Sequence, residues 1–255
     1  PAWCLTWGSR DDDVLTAVTV GDNMIYAAGY TYSRETRYDA IIFCISPNGS
    51  IVWSLRLGGE EDDYIFDITA QNNIYVAGST WSNNSLSEDI FIACISKTGK
   101  LLWLHIYREQ GEQRPGRIAL SKGKIYLAGY TYRKNYDILL QCYSLNGKQE
   151  WSKAYDYGLE ECAVDIASLG GQIITVGISW RKQKQIIIAA YNLEGKQTWT
   201  LKIEDKPAIA SAIHTENGEI YIAGTLYQEG KPHPLIAQIS PNGHLKWKKT
   251  IKMEG

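Results

Sequence analysis

The chain has 255 residues, a formal net charge of −2 and 44% apolar residues, which is enough chain for a large core in one all-β domain. Near-balanced charge excludes a global attraction to nucleic acid or to an anionic membrane, and no apolar run approaches the roughly 18 residues of a membrane span. Aromatic usage is lopsided, with 17 Tyr and 9 Trp against 3 Phe.

Pro1 opens the chain without a basic n-region or an apolar h-region, so no signal peptide is expected, although a mature secreted form would read the same. The first element, AWCLTW (Ala2 to Trp7), carries a tryptophan that recurs. Trp3, Trp53, Trp103, Trp151, Trp199 and Trp247 are separated by 50, 50, 48, 48 and 48 residues. Between them the runs follow in a fixed order. The first repeat offers MIYAAGYTY, IIFCIS and the turn SPNGSIVW. The second gives YIFDITA, NIYVAGSTW, DIFIACIS and, after SKTGK, LLWLHIY. The third has KIYLAGYTY, LLQCYS and SLNGKQEW, the fourth IITVGISW and NLEGKQTW, and the fifth EIYIAGTLY and SPNGHLKW. A repeat glycine (Gly29, Gly78, Gly129, Gly177, Gly224) keeps phase with the tryptophan throughout.

Each repeat therefore reads as four short strands joined by tight polar turns, with Gly and Asn supplying the positive φ angles of hairpins. Helix signals are absent. Four-stranded antiparallel units of this length in series predict an all-β, five-bladed β-propeller, and near-continuous apolar runs such as DAIIFCIS fit strands packed on both faces. An extended β-solenoid is the alternative, but its coils are usually shorter and less rich in hairpins. A single domain over 1–255 is expected, in units of about 3–52, 53–102, 103–150, 151–198 and 199–246 plus a closing strand 247–252. The ends over-count: AWCLTW and LKWKKTIK (Leu245 to Lys252) both match the tryptophan strand, and either can serve as the outer strand of the fifth blade. The other then caps an edge or pairs with a second molecule, giving a homo-oligomer.

Five cysteines are an odd number, and Cys44, Cys94 and Cys142 share one repeat position inside apolar strands. That is the behaviour of small buried residues rather than of a disulfide framework or a zinc site, and it favours a reducing, cytoplasmic compartment.

Trp53, Gly58, Gly59, Asp62 and Asp63, followed by IYVAGST and DIFIACIS, resemble the bacterial and archaeal "seven-bladed β-propeller repeat" (SBBP) family. Gly99-Lys100-Leu101-Leu102-Trp103 resembles the tryptophan-docking turn of pyrroloquinoline-quinone (PQQ) propellers. Both resemblances imply a propeller, with five repeats here rather than seven, and neither fixes a function. The clustered charges that a quinone would need are not seen, so no cofactor is expected.

In such a fold the long, variable loops share one end: TYSRETRYD, TWSNNSLSED, TYRKNYD, SWRKQKQ and LYQEGKPHP, with GSRDDD, GGEEDD, REQGEQ, DYGLEE and EDKPAI. Three groups stand out. Tyr32, Trp81, Tyr132, Trp180 and Tyr227 each follow the repeat glycine by three residues. Rings with a polar handle suit stacking on a sugar or a partner side chain, or else wedge between blades, and five-bladed tachylectin-type lectins are a precedent by fold analogy. Basic residues on the same loops (Arg34, Arg37, Arg133, Lys134, Arg181, Lys182, Lys184) face acidic clusters (Asp11 to Asp13, Glu60 to Asp63, Glu160 and Glu161). A mixed-charge rim is therefore expected, not a nucleic-acid track, and the acids lack the ligand spacing of a calcium loop. Finally, Asp67, Arg117 and Asp165, with His214, fall on the inner strands, where same-face positions line a channel. They read as a charge-paired plug, or more sharply as a small polar site. The carboxylates are too far apart in the repeat order to read as the acid–base pair of a glycosidase. No GxSxG, HExxH, P-loop or Cys–His pairing appears. The sequence thus predicts a non-enzymatic, protein-binding or scaffolding propeller, with carbohydrate binding second, a glycoside hydrolase third and no metal.

Overall fold

The computed structural model describes residues 3–8, 10–82, 88–108, 112–203 and 206–251. Ala2 and Lys252, at the far ends of the two terminal tryptophan strands, lie outside the described residues, as do 83–87, 109–111 and 204–205 of three long loops. No helix among the described residues is long and apolar enough to cross a membrane.

The fold is all-β, with twenty strands in five four-stranded antiparallel sheets, the blade pattern of a five-bladed propeller. The first sheet is β1 (Asp13–Gly21), β2 (Met24–Ser33), β3 (Arg37–Ile45) and β4 (Ile51–Leu57); the second is β5 (Asp63–Ala70), β6 (Ile74–Thr80), β7 (Asp89–Ile95) and β8 (Leu101–Tyr107). The third is β9 (Glu112–Ser121), β10 (Lys124–Tyr132), β11 (Tyr136–Ser144) and β12 (Gln149–Tyr155). The fourth is β13 (Glu160–Leu169), β14 (Gln172–Trp180), β15 (Lys184–Asn192) and β16 (Gln197–Ile203). The fifth is β17 (Ala208–Glu216), β18 (Glu219–Gln228), β19 (Lys231–Ile239) and β20 (Leu245–Thr250). The C-terminal tryptophan strand thus completes the fifth sheet. The chain divides into two compact units, residues 1–118 with 146–148, and 119–145 with 149–255.

Two local devices recur, and each explains a sequence landmark. The first is a β-bulge in the innermost strand, where the register shifts between Leu15 and Ala17, Ile65 and Asp67, Ala163 and Asp165, and Ala210 and Ala212. The bulge tilts a carbonyl into the space opposite the repeat glycine. A Cβ built on Gly177 would lie 2.2 Å from the Cys162 carbonyl oxygen, and one on Gly78 would lie 2.1 Å from that of Tyr64. Close approach of backbone, not an unusual φ, is what selects glycine here.

The second device is the turn between the third and fourth strands. In the second sheet, Gly99 adopts φ +81°, its N–H donates to Ser96 O at 3.0 Å, and Ser96 N–H donates to Lys100 O at 2.8 Å. A three-residue loop ending in a left-handed glycine closes the hairpin. Trp53, from the preceding sheet, lies over Gly99 and donates its indole N–H to Lys97 O at 3.0 Å. Trp151 over Gly195 and Trp199 over Gly243 repeat the contact, with Trp199 bonded to Pro241 O. Each of these three tryptophans therefore stitches its own sheet to the next one.

Between the stitches the sheets bury their apolar faces. Tyr26, Ala28, Ile42 and Cys44 of the first sheet pack with Ile65, Ile68, Val76 and Ala93 of the second. Val176, Ile188 and Ala190 of the fourth pack with Ile213, Ile222 and Ala237 of the fifth. Each fully buried isoleucine or valine contributes about 1.5–3 kcal/mol. Cys44, Cys94 and Cys142 are buried free thiols opposite Trp53, Trp103 and Trp151, and burial pushes the Cys94 and Cys142 thiols up to about 11.

Two outcomes are expected. Gly177→Ala should lower the unfolding free energy by about 1–3 kcal/mol, the usual cost of overpacking, as measured by urea denaturation; an unchanged midpoint would remove the close-approach explanation. With a thiol reagent at about pH 8, exposed Cys4 should react fast and the buried thiols only after denaturation, because burial suppresses their thiolate. The buried thiols also set an alkaline limit. Their contribution to stability is complete below the unfolded thiol pKa and is lost as pH climbs through about 11.

Candidate functional site

The long loops join the second strand of each sheet to the third, and the fourth strand to the following sheet, so they gather at one end of every sheet. In the first unit the loop motif Gly58-Gly59…Asp62-Asp63 has a structural explanation. Asp39 is buried, accepts a hydrogen bond from the Thr36 hydroxyl at 2.5 Å and pairs with Arg56 at 2.5 Å. A Cβ on Gly58 would lie 1.9 Å from its Oδ1. Gly59 N–H donates to Asp63 Oδ2 at 2.9 Å, and the Ser82 hydroxyl donates to the same oxygen at 3.1 Å. Glu161 takes the corresponding role in the fourth sheet, accepting from Leu159 N–H at 3.1 Å, Tyr157 N–H at 3.3 Å and the Ser179 hydroxyl at 3.2 Å. Burial raises the pKa of both Asp63 and Glu161. These acids close loops, and that use accounts for the motif.

Over this frame, tyrosines group into a patch in each unit. In the first, Tyr30 meets Tyr64 edge-on at 4.9 Å and Tyr38 at 5.5 Å, Tyr32 meets Tyr38 at 5.1 Å, and Tyr38 lies 5.4 Å from Tyr64. All four rings are half-buried. Their rim is charged: Arg37 pairs with Glu61 and with Asp62, and the Tyr38 hydroxyl donates to Asp12 at 3.3 Å. Burial, with Asp12 next, raises the Tyr38 phenol, and burial, with Asp62 next, raises that of Tyr64. In the second unit, Tyr136 gathers Tyr132 at 4.8 Å, Tyr130 at 5.3 Å and Trp180 at 5.9 Å. Beside it, one carboxylate oxygen each from Asp137, Asp156 and Glu161 lie within 4.8 Å of one another. Among the described residues this is the one acidic group close enough to hold a cation, although Glu161 already accepts three hydrogen bonds and Asp137 accepts one from Asn135 at 2.8 Å.

The five aromatic positions of the repeat are therefore not equivalent. Tyr32 meets a tyrosine of its own sheet edge-on, Tyr132 lies tilted against one of its own sheet, and Trp180 lies tilted against Tyr136 of the preceding one. Trp81 is exposed and Tyr227 half-buried, each held by its backbone N–H to Asp62 O and Pro207 O. Sequence reasoning missed Tyr30, Tyr38, Tyr64 and Tyr136. The pairing of Tyr38 and Tyr136 with the ring at the end of the preceding strand was visible only as TYSRETRY and TYRKNY.

The inner-strand residues clasp adjacent sheets. In the first unit, Asp67 Oδ2 accepts Ile118 N–H at 2.8 Å, while Arg117 lies 3.8 Å from the Asp67 carboxylate and donates to Phe66 O. In the second, Asp165 accepts Ile166 N–H through one oxygen and Ile213 N–H through the other, both at 2.8 Å, and His214 is exposed beside it. Thr16 serves the same end in the first sheet, donating to Ile65 O at 2.6 Å.

No protein-family model matches the chain, and no curated protein matches it. Solved structures do. A β-1,3-galactosidase of family GH43 is similar at 11% identity with a TM-score of 0.53, over 97% of this chain and 62% of that one. Extracellular domains 1–2 of Drosophila semaphorin 1b are similar at 13% identity with a TM-score of 0.55, over 90% of this chain and 54% of that one. The chain thus spans less than two thirds of either neighbour, and the likeness shows the fold. It also corrects the reading of the chain as no enzyme. A glycoside hydrolase shares this fold over nearly the whole chain, and the absence of short catalytic motifs is no argument here. On a repeat fold, reacting groups come from strands about 50 residues apart and leave no local signature.

Asp165→Ala should cost about 1–3 kcal/mol by leaving the Ile213 and Ile166 N–H groups unpaired, with Asp165→Asn losing less, in chemical denaturation. Equal losses in the two variants would assign the effect to charge instead.

Proposed function

We propose that this chain is a protein-binding propeller whose loop-bearing end recognises a partner through its tyrosine patches. One observation carries the reading: Tyr30, Tyr32, Tyr38 and Tyr64 form a continuous, half-buried set of rings edged by Arg37, Glu61 and Asp62. Tyrosine supplies large, rigid, amphipathic contact area at low entropic cost, and tyrosine and arginine are enriched at interface hot spots. The neighbouring ion pairs orient a partner and reject wrong ones without adding much affinity. The unequal surroundings of the five repeat aromatics disfavour a lectin with one identical site per blade, and the inner carboxylates of Asp67 and Asp165, each bonded to backbone N–H groups, disfavour a hydrolase built on that pair.

The test is affinity capture with the wild type, Tyr38→Ala and Tyr136→Ala, followed by calorimetry with the captured protein purified. Loss of a hot-spot ring costs at least about 2 kcal/mol, or about 30-fold in Kd, and at least one variant should show it with an unchanged fold. A glycan array and an aryl-glycoside panel run alongside. Sugar binding lost in Trp81→Ala, or turnover of a glycoside, would replace the proposal.

A further inference from the structure

An acid near the start of the third strand is a position of the repeat. Asp39, Asp89 and Asp137 stand opposite Thr31, Thr80 and Thr131 in their own sheets. In the first sheet Arg56 pairs with Asp39 at 2.5 Å, and in the second Arg108 pairs with Asp89 at 2.9 Å. Both acids are buried, and the arginine supplies the opposite charge that a buried carboxylate requires.

The third sheet keeps the acid and lacks the arginine. By register, Ala154 takes the place of Arg56. Asp156 follows Tyr155 as Arg108 follows Tyr107, so it takes the place of Arg108. The cation of one repeat is thus an anion in the next. One carboxylate oxygen each from Asp137, Asp156 and Glu161 lie within 4.8 Å of one another. Asn135 donates to Asp137 Oδ1 at 2.8 Å and Gly158 N–H to Asp156 Oδ1 at 2.6 Å, which fixes one oxygen of each. Burial, with Asp156 next, raises the Asp137 pKa, and the nearby Arg133 does not offset them.

A cavity of about 280 Å³ opens beside these acids, lined by Asn135, Asp156, Leu159, Glu160, Trp180 and Arg181 among others. Its two carboxylates outnumber its one guanidinium. Half-buried Trp180 forms a flat wall, which Tyr136 continues at 5.9 Å into the tyrosine patch. Nothing lies within 4 Å of where a Cβ on Gly158 would stand, so the loop leaves room for a guest. All of these residues belong to the second unit.

We propose that this cavity receives an arginine side chain of the protein partner, its guanidinium lying on Trp180 and pairing with Asp156 and Asp137. Arginine is the occupant because the repeat itself satisfies this acid with a guanidinium twice, at Asp39 and at Asp89. A guanidinium lies flat on an aromatic face and presents paired, coplanar N–H donors to carboxylates, and an ammonium lacks that plane. The proposal rests on the protein-binding reading and adds the residue by which the partner is anchored.

The test is a titration of the full chain, followed by amide and indole NMR signals, with N-acetyl-arginine amide, its uncharged citrulline analogue and calcium chloride. The arginine probe should shift the Gly158 amide and the Trp180 indole saturably, with a Kd on the order of 1 mM. Citrulline should not saturate either signal. Asp156→Asn should weaken arginine binding at least about tenfold, the worth of a charge-assisted hydrogen bond. Asp156→Arg rebuilds the arrangement of Arg108, so it should abolish binding and raise the urea midpoint. Asp156 is exposed, and the same spectra check that both variants fold. No saturable shift with arginine, equal binding of citrulline, or unchanged affinity in either variant would overturn the proposal. Saturation by calcium alone would replace it with a metal centre. The probes need no partner, so their failure leaves the protein-binding reading to the capture experiment. Failed capture beside intact arginine binding would sink that reading and leave the guanidinium site standing.

Discussion

A four-stranded sheet that is apolar on both faces has nowhere to put one of them. Strands such as Ile74–Thr80 and Asp89–Ile95 are buried along their whole length, and a single blade of them would leave half of that surface in water. The requirement that every sheet be sandwiched is what the other features serve. The bulge and its facing glycine let the inner strand bend beside its partner. The tryptophan reaches across to the next turn and sets the spacing of neighbours. Asp67, Asp165 and Thr16 fasten the inner strands where side chains alone would leave backbone groups unpaired.

Stability of this kind is nearly one-dimensional, since each sheet answers chiefly to its neighbours. Burial differs between strands at the same place in the repeat: in β18 only Ile220, Ile222 and Leu226 are buried, against the unbroken burial of β6. Residues 3–8 settle on the first sheet, with Trp3 over Gly49 and Trp7 against Phe43.

The repeat made the fold legible, and the reason is physical. Bulge, glycine, turn and tryptophan act within or between adjacent sheets, so their spacing is fixed and survives as a period in the sequence. Which terminus supplies the last strand was not legible, because AWCLTW and LKWKKTIK present the same pattern. The geometry separates them, with β20 pairing to β19 and Trp3 seated on the turn of the first sheet. The loop end was legible as a location but not as a surface. Tyr32 and Trp180 stood out by position, whereas Tyr64 joins the patch from the strand of another sheet, which no local pattern announces. The Gly58-Gly59…Asp63 motif was visible as letters, yet its work of making room for Asp39 and closing on Ser82 requires coordinates.

The offset between tryptophan and turn also bears on how such a chain evolves. Because Trp53 is received by Gly99 and Trp151 by Gly195, a stretch of 48 or 50 residues copied from any starting point contains one donor and one acceptor and keeps the phase of the repeat. Duplicating it inserts a whole blade that is recognised on both sides, with no new contact to invent. Deleting it rejoins a donor to the next acceptor just as cleanly. Blade number is thus a heritable variable that slippage at the gene level can change in single steps, and the local code within each repeat is indifferent to the total.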